Sequence, residues 1–542
     1  MKLMKSIITC FTFLTVFITQ AQWTTDIAEN TLVAQSEALD MQAKGTSDGM
    51  TYVVFWKDVE APVNIELRMQ VLDANGNQML GSDGVLVSDQ IPMNTYTVIW
   101  NIVVDNDDNL YIGVTGTGQD AGEPAYAFKM DTEGNHLWGS NGLNVGNGNV
   151  VTVLPLSSGN VIVSWIASTG AVMQKYDSTG GAVWPSTKPI ESGAEFTSPA
   201  NFFELSNGDY VAVFHTLVFG ENSNLWAQRY DIDGNPMWTK ATQLSDRATV
   251  YNRSYTGVQD GDVIYMGYFA SVAIRFDSYV QRINPDGTIP WGINGADFDV
   301  EETDYELDTQ IAFEPGSQYV WAISTFSNEA EDQYGEYVQK FDKETGTRQF
   351  TDNAKVVFPI GSDKVHAGGL QLKNGSPLFL NEEGEDNGGA TPTTLNSVHL
   401  DENGDFAWTE ETISVAAFSA NKRRVQYTIP VNNQSVAVFV EDKGDGSKVY
   451  AQNVMNETLD TKDFDQAVFT YKNPVQNEIT LNSTTNIKGV SIYNMLGKQV
   501  FNKSFPGNKT IKIDVQSWRN GIYIMKIKTE NKISKSIKLI KK

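Results

Sequence analysis

The sequence predicts an all-β protein that consists of a large array of internal repeats and a smaller carboxy-terminal domain. Three observations lead to this fold class. A turn motif recurs about every fifty residues, short segments rich in β-branched and aromatic residues flank each turn, and the sign of the charge changes near residue 468. At 542 residues the chain is also longer than one hydrophobic core usually supports.

The first repeated motif is an aspartate followed three residues later by glycine and four residues after that by tryptophan. Its four clear copies are Asp131–Trp138, Asp177–Trp184, Asp231–Trp238 and Asp401–Trp408, and its diverged copies are Asp73–Leu80, Asn284–Trp291 and the longer Asp342–Phe350. Asp or Asn accepts hydrogen bonds from its own downstream backbone and glycine supplies positive φ, so the motif encodes a hairpin turn. A calcium loop is the alternative at Asp231–Asn235, which lacks the closing glutamate of an EF-hand.

A second turn lies upstream of each unit and occurs eight times. Its copies are Asp48-Gly49, Asp108-Asn109, Ser158-Gly159, Asn207-Gly208, Asp260-Gly261, Pro315-Gly316, Asn374-Gly375 and Asn432-Asn433. Each joins two short strands, and two more strands flank the Asp-Gly unit, so one repeat holds four antiparallel strands. Four strands per repeat of about fifty residues predict an eight-bladed β-propeller over residues 22–455.

The eighth repeat is split between the two ends of this array. Residues 449–455 resemble a third strand with no fourth strand after it, whereas Trp23 is followed by Thr31-Leu32-Val33-Ala34, much as Trp138 is followed by an outer strand. We therefore predict that the amino-terminal strand pairs with residues 449–455 and closes the ring, which would leave no unpaired edge.

The repeated tryptophans are expected to pack against the neighbouring blade, as in propellers with tryptophan docking motifs. The longer copy, Asp342-Lys343-Glu344-Thr345-Gly346 with Phe350, resembles the blade signature of the quinoprotein (PQQ-like) superfamily. This resemblance implies architecture only. Since no residue matches the cofactor site of that superfamily, we predict no cofactor-binding residues and no quinone cofactor.

The first 21 residues are predicted to be a signal peptide. Lys2 and Lys5 precede an apolar run, and a small-residue cleavage site ends at Ala21. The only cysteine, Cys10, lies inside that run, so the mature chain would have no disulfide or cysteine-metal site. No later stretch approaches the roughly 20 apolar residues of a membrane helix.

Charge divides the chain into two parts. Of its 40 basic and 66 acidic residues, 14 basic and 3 acidic residues lie from Val468 onward, which leaves 26 basic and 63 acidic residues before it. An acidic body of this kind repels phosphate backbones, so we predict no nucleic-acid partner.

The carboxy-terminal part contains several short motifs in a fixed order. They are Tyr471-Lys472-Asn473-Pro474-Val475, Ile492–Lys498, Ile513-Asp514-Val515, Asn520–Ile524 and the basic end Lys535–Lys542. Together they resemble the type A sorting domain of the type IX secretion system of Bacteroidota. The residues that match the sorting signal are Asn473, Pro474, Tyr493, Gly497, Lys498, Asn520, Gly521, Tyr523 and Lys538.

This resemblance implies a secreted or outer-membrane-surface protein, with the type IX translocon and a sortase-like peptidase as partners. Residues 468–542 would form a small immunoglobulin-like β-sandwich, and residues 456–467 would be the linker that is cut. The alternative is a basic module that binds acidic surface glycans.

Ligand recognition is expected on the rim that carries the long, variable loops between second and third strands. Several of these loops are acidic. Glu441, Asp442 and Asp445 are the candidate metal ligands, and Ca²⁺ is the ion that they would bind. The other interpretation is a set of solvated acidic loops.

Catalytic residues are not predicted. The four histidines, His136, His215, His366 and His399, share no metal-ligand spacing and begin no catalytic motif. We therefore expect an exported surface or secreted propeller that binds an extracellular glycan, protein or surface component. The alternative is a secreted polysaccharide-degrading hydrolase or lyase, since glycoside hydrolysis needs only two carboxylates at a suitable separation.

Overall fold

Every regular element among the described residues is a β-strand. The computed structural model describes residues 23–59, 65–91, 98–115, 124–191, 196–217, 223–249, 255–273, 275–384, 393–431, 434–455, 469–494, 498–529 and 534–542. The predicted signal peptide (1–21), the predicted linker (456–467) and Gly497 lie outside these residues. The chain divides into two compact units, residues 1–456 and 457–542.

The first half of the larger unit forms four sheets after a short initial strand, β1 (Thr31–Leu32). Sheet 1 contains β2 (Ala38–Gly45), β3 (Thr51–Asp58), β4 (Ile65–Leu72) and β5 (Val85–Ser88); sheet 2 contains β6 (Val98–Val104), β7 (Leu110–Thr115), β8 (Pro124–Met130) and β9 (Leu143–Asn147); sheet 3 contains β10 (Asn149–Pro155), β11 (Val161–Ala167), β12 (Gly170–Tyr176) and β13 (Lys188–Pro189); sheet 4 contains β14 (Phe196–Glu204), β15 (Tyr210–Leu217), β16 (Asn224–Tyr230) and β17 (Thr242–Gln243).

The second half forms four more sheets. Sheet 5 contains β18 (Ala248–Thr249), β19 (Thr256–Asp260), β20 (Val263–Val272), β21 (Arg275–Ile283) and β22 (Ala296–Asp297); sheet 6 contains β23 (Tyr305–Ala312), β24 (Tyr319–Ser327), β25 (Tyr334–Asp342) and β26 (Lys355–Phe358); sheet 7 contains β27 (Lys364–Lys373), β28 (Ser376–Glu383), β29 (Thr393–His399) and β30 (Ile413–Ala420); sheet 8 contains β31 (Arg423–Tyr427), β32 (Gln434–Asp442) and β33 (Ser447–Met455).

The amino-terminal strand completes sheet 8. Strand β1 pairs antiparallel with β33, with Thr31 opposite Ala451 and Leu32 opposite Tyr450. Sheet 8 thus has the order β1-β33-β32-β31, four strands like most of the others. The predicted pairing of the amino-terminal segment with residues 449–455 is confirmed.

The apolar core of this unit is distributed between the sheets. Eight clusters of buried hydrophobic side chains occur, and each is shared by two consecutive sheets. One of them joins the last sheet to the first, since Val438 and Val449 of sheet 8 pack with Val53 and Phe55 of sheet 1. The first strands of consecutive sheets also contact each other, including β31 with β2. The contacts between sheets therefore follow a cyclic order.

The repeated turns have the predicted chemistry. In the copy at Asp231, the Oδ1 atom accepts hydrogen bonds from the backbone N–H of Asp233 at 2.9 Å and of Asn235 at 2.8 Å, and Gly234 has a φ of 76°. Asp73, Asp177 and Asp401 accept the same pair of backbone bonds. Both Oδ1 lone-pair directions are used by the backbone in these copies, which supports a turn rather than a metal loop.

The aromatic residue of most units packs on the glycine of the next sheet, as Trp138, Trp184, Trp238, Trp291 and Phe350 do. The Nε1–H of Trp238 donates to Pro285 O at 3.1 Å, and a Cβ added to Gly287 would lie 2.8 Å from Trp238 Cδ2. Trp23 makes the equivalent contacts at the junction of sheets 8 and 1, with Nε1–H donating to Ala74 O at 2.9 Å and the ring against Gly76. The expected docking between neighbouring repeats is confirmed.

The smaller unit has five antiparallel strands. They are β34 (Phe469–Tyr471), β35 (Glu478–Asn494), β36 (Gln499–Asp514), β37 (Gly521–Thr529) and β38 (Ser534–Lys541), in the order β34-β35-β37-β38 with β36 also paired to β35. The first part of β35 pairs with β34 and its second part with β37. A register shift between Asn482 and Ile487 separates the two parts. Apolar side chains such as Leu481, Val490 and Met525 form its core.

Candidate functional site

A cavity of about 830 Å³ lies between the first strands of sheets 1, 2, 5, 6, 7 and 8, and we call it the central cavity. Its wall combines charged, amide and apolar side chains. Its polar residues include Lys44, Asp308, Gln310, His366, Arg424 and Gln426. The cavity reaches Ser47 and Ile429 near the first-to-second strand turns, where Ile429 is 66% exposed. A concave site of this size is within the range that small ligands occupy in proteins.

Backbone irregularities in the first strands shape the cavity wall. Seven of the eight first-to-second strand pairs contain a shift in register near the start of the first strand. A β-bulge redirects side chains, and here it places Asp308 and Arg424 on the wall with φ values of 53° and 55°. Positive φ is unfavourable for both residue types. Strain of this kind recurs at ligand sites, where the surrounding sheet has to hold it.

His366 connects two carboxylates, one of which reaches the cavity. The His366 Nδ1 atom lies 2.9 Å from Glu336 Oε2, and Nε2 lies 3.2 Å from Asp308 Oδ2. Burial opposes the charged imidazole, but the two carboxylates outweigh it and raise the pKa of His366 to about 10. Burial alone would raise the pKa of Asp308, and its contact with His366 lowers the pKa below the usual value. Glu336 and His366 are buried, while the Asp308 side chain is 48% exposed.

Two further cations line the cavity in different environments. The Arg424 Nε atom lies 2.7 Å from Asp40 Oδ1, so its charge is compensated. The Lys44 side chain is exposed to solvent, yet burial lowers the pKa of its ammonium. Both properties follow if the accessible surface of Lys44 belongs to the interior cavity. Among the described residues, Lys44 has no ion-pair partner.

A second group of carboxylates lies between sheets 5 and 6, away from the cavity wall. It comprises Asp277, Asp297, Asp299 and Glu306, and burial raises the pKa of each, in the case of Asp297 to about 6. Asp299 and Glu306 are 2% and 1% exposed. A hydrogen bond joins Glu306 to Asp299, so these two carboxyls share a proton, whereas Asp277 is ion-paired with Arg275 at 3.1 Å.

The residues predicted to bind a metal have other partners. Glu441 is fully buried, and its two oxygens lie 2.7 Å from Lys422 Nζ and from Lys443 Nζ. The Asp442 carboxylate accepts hydrogen bonds from the backbone of Gly444 and Gly446, and Asp445 pairs with Lys448. Within the described ranges, no group of three or more His, Cys, Asp or Glu side chains is arranged to hold a metal ion. The structure therefore gives the Ca²⁺ hypothesis no support.

The other acidic loops are only partly described. Glu336 lies in β25, where its carboxylate contacts His366 of β27, and not in a solvated loop. Thr393 Oγ1–H donates to Glu382 Oε2 at 3.1 Å. Of the loops between second and third strands, residues 116–123, 218–222 and 385–392 lie outside the described residues.

The predicted sorting residues lie on several strands of the smaller unit. Asn473 contacts the last strand, since its Nδ2–H donates to Lys538 O at 3.0 Å and its Oδ1 accepts from Ile540 N at 2.8 Å. The Tyr523 hydroxyl donates to Arg519 O, and its ring lies 5.0 Å from that of Trp518.

The remaining sorting residues occupy strand ends and exposed faces. Lys526 Nζ lies 5.7 Å from the Tyr493 ring centroid, and Lys498 N donates to Asn494 Oδ1 at 3.0 Å. Pro474, Asn520, Gly521 and Lys538 are exposed. The structure brings Asn473 and Lys538 together but does not gather the whole set into one cluster.

Comparison with known protein families identifies this unit. The model described as "Secretion system C-terminal sorting domain" matches residues 470–542. Residues 470–542 are a sorting domain. The sorting domain directs export through the type IX secretion system to the cell surface or the extracellular space, as the sequence predicted. None of the described residues forms a helix with the length and apolarity that membrane crossing requires.

Similarity outside the sorting domain is weak. No curated protein sequence matches the chain. Among solved structures, polysaccharide lyase Uly1 is 10% identical with a TM-score of 0.38, over 70% of this chain and 93% of that one. An endo-1,4-beta-xylanase from Bacteroides thetaiotaomicron is 14% identical with a TM-score of 0.27, over 47% and 96%. Prolyl oligopeptidase B from Galerina marginata is 12% identical with a TM-score of 0.40, over 77% and 56%. Similarity at this level carries no argument about function.

The central cavity was not predicted from the sequence. Lys44, Asp308, His366 and Arg424 lie in the first strands of their sheets and not in the variable loops, where recognition was expected. One signal was present: the segments Leu307-Asp308-Thr309-Gln310 and Arg423-Arg424-Val425-Gln426 put polar residues where an interior strand usually carries apolar ones.

Proposed function

We propose that residues 22–455 form an eight-bladed β-propeller closed by the amino-terminal strand. The cyclic order of the shared apolar clusters, the β1–β33 pairing and the Trp23 contact support this architecture. The proposal includes a signal peptide over 1–21, a cleavable linker over 456–467, and a sorting domain folded as a small sandwich in which β35 passes from one layer to the other.

We propose that the exported propeller is a binding protein whose ligand enters the central cavity. The observation that carries this proposal is the fixed charge of the cavity wall. Asp308 has a lowered pKa and His366 has a pKa of about 10, so both keep their charge at neutral pH. A general acid or base needs a pKa near the working pH, which neither has. Such groups suit recognition of a polar ligand better than proton transfer.

A ligand screen with a cavity-filling variant tests this function. The mature chain would be applied to an array of extracellular glycans and peptides, next to Gln426→Trp and the less bulky Gln426→Phe. Gln426 lines the cavity, so both variants should reduce binding of the hits by tenfold or more while their melting temperatures stay near that of the unmodified protein.

The matched control is Gln349→Trp, which puts the same side chain on an exposed position elsewhere. Equal binding by the control and by both cavity variants would move the ligand site out of the cavity. Cleavage of any hit, followed by mass spectrometry of the array ligands, would replace the binding function by that of a polysaccharide-degrading hydrolase or lyase.

A further inference from the structure

We propose that the ligand of the central cavity is an acidic saccharide, and that the Lys44 ammonium binds its carboxylate. This inference rests on the binding function proposed above and names the chemistry of the ligand. It starts from the difference between Lys44 and the other cations of the same wall.

Lys44 is the uncompensated cation among the described residues of the cavity. Arg424 is paired with Asp40 at 2.7 Å, and His366 is held between Glu336 and Asp308. Lys44 lines the same cavity, and no carboxylate of the part of the chain that the structure describes is paired with it. Desolvation penalises its charged form and lowers its pKa. An ammonium in this position costs folding free energy, and an anionic ligand would offset that cost.

The position of Lys44 in β2 lets its side chain line the cavity. It lies in β2 between Ala43, which is buried in the core shared by sheets 8 and 1, and Gly45, which packs on Thr428 of sheet 8. Side chains alternate along a strand, so Lys44 projects from the face opposite Ala43. A carboxylate there would gain a charge-assisted hydrogen bond from the Lys44 ammonium.

Amide groups supply the second part of the argument. Gln310 and Gln426 line the cavity, together with Asn101, Gln371 and Thr256, whose side chains also bond to Val153 N, Tyr427 O and Ile311 N. A carboxamide offers both donors and acceptors, which suits the adjacent hydroxyls of a sugar ring. This wall differs from the predominantly apolar and aromatic lining of most small-molecule pockets.

The second of two adjacent glycines, Gly369, leaves room for such a ligand, whereas Gly368 packs against the backbone of Gln426 and Tyr427. Gly368 and Gly369 stand at the bulge of β27 with φ values of 76° and 91°. A Cβ at Gly369 would meet only Gln310 Oε1, at 3.6 Å, so the wall is open at this point. Sheet 7 thus contributes backbone where the neighbouring sheets contribute Asp308 and Arg424.

Isothermal titration with three probes tests the inference: D-glucuronate, D-glucose and acetate. Glucuronate should bind the mature protein, and glucose, which has the same ring without the carboxylate, should bind at least about tenfold more weakly. Lys44→Met should lose glucuronate binding by about 10- to 100-fold, the usual effect of removing a hydrogen bond to a charged group. Lys44→Arg keeps the charge and should retain part of the affinity.

Stability gives an independent readout. Because Lys44 is uncompensated, Lys44→Met should melt at the same temperature as the unmodified protein or above it, whereas a structural lysine would lower the melting temperature when removed. Lys240→Met, at an exposed position, is the matched control and should change neither property.

Three outcomes would overturn the inference. They are no heat with glucuronate, equal affinity of Lys44→Met and the unmodified protein, and acetate binding as tight as glucuronate binding, which would reduce the site to one for bare anions. Each of these outcomes can be distinguished from failure of the binding function. If Gln426→Trp abolished binding of ligands found on the array, the cavity would still be a binding site, but for a ligand of different chemistry.

Discussion

His366 illustrates how a single residue can hold two sheets and one face of the cavity at once. Its Nδ1 atom and backbone N–H both contact Glu336 of sheet 6, and its Nε2 atom faces Asp308 of the same sheet, while His366 itself belongs to sheet 7. A buried ion pair contributes little net free energy when it forms, but removing one partner leaves a charge without compensation. The integrity of this junction therefore depends on the imidazolium.

Replacing His366 by Gln should lower the free energy of unfolding at pH 7 by about 3–5 kcal/mol, because Glu336 would stay buried and unpaired. The pKa of His366 is raised from about 6.5 in the unfolded chain to about 10 in the fold. Its stabilisation is therefore complete below pH 6.5 and lost as the pH rises through 10. Chemical denaturation between pH 6 and 10 should show the two proteins converging toward pH 10.

His399→Gln is the control for this prediction. Burial lowers the pKa of His399 to about 4, so this residue is neutral over the same pH range and compensates no carboxylate. If the free energies of unfolding of His366→Gln and of the unmodified protein differed by the same amount up to pH 10, His366 would not be charged in the folded protein.

Predictability at the residue scale depended on whether a side chain acts on its own segment. The turn aspartates were predictable because they bond to backbone two and four residues away. Asp308 and His366 were not, because their partners come from strands 30 residues or more distant in sequence, and Lys44 was not, because its surroundings are formed by other sheets. Glu441 shows the same limit: carboxylate density was visible in the sequence, but the approach of Lys422 was not.

The contact between an outer-strand aromatic residue and the next sheet's glycine is the repeated joint of the larger unit. Glycine is required there because a Cβ at Gly287 would overlap the Trp238 ring. The sequence predicted that the aromatic residue packs on the neighbouring repeat, but it assigned the glycine only to the turn. Trp23 makes the same contact between sheets 8 and 1, although it precedes all the other repeats in the chain.

Trp23→Ala should remove the last of these joints. We expect a loss of about 2–3 kcal/mol, less than for a fully buried tryptophan because Trp23 is half-buried. Hydrogen exchange should then speed up at Thr31 and Leu32, which Trp23 helps to hold against β33.

Trp238→Ala is the matched variant, since it removes the same contact between two internal sheets. It should destabilise the protein to a similar extent without faster exchange at Thr31 and Leu32. Unchanged exchange at those two residues in Trp23→Ala would contradict the role of Trp23 in closure.

The bulges of the first strands were beyond prediction at the scale of elements. A bulge is a mismatch between two paired strands, and alternation within one strand reports only which face is buried. Segments such as β23 and β31 read as ordinary strands, whereas their pairing with β24 and β32 shifts register at Asp308 and Arg424. The architecture was therefore accessible from the sequence, and the cavity wall was not.

At the scale of the whole molecule, two units of opposite charge serve separate purposes. The acidic body carries the candidate site, and the basic sorting domain directs export. The boundary was predictable because composition, charge and motif order all change near residue 468. The ligand was not, since no motif of the body reports on its chemistry.

Deleting residues 468–542 should retain the protein in the periplasm, because the remaining chain has no sorting domain. Cell fractionation and surface labelling would measure this. Fusing residues 456–542 to a periplasmic reporter is the control and should bring the reporter to the surface. Undiminished surface delivery of the truncated chain would contradict the export role, and mass spectrometry of the mature full-length protein should place its carboxyl end within 456–467.

The pairing of Thr31 with Ala451 also has a consequence for the order of folding. Thr31 has its partner 420 positions later in the chain, so its strand has no template until synthesis is almost complete. Loop-closure entropy grows only slowly with length, and the delay thus comes from vectorial synthesis rather than from the free energy of closure. The earliest segment to emerge is the last to dock, and a truncated nascent chain would be left with an open, aggregation-prone edge.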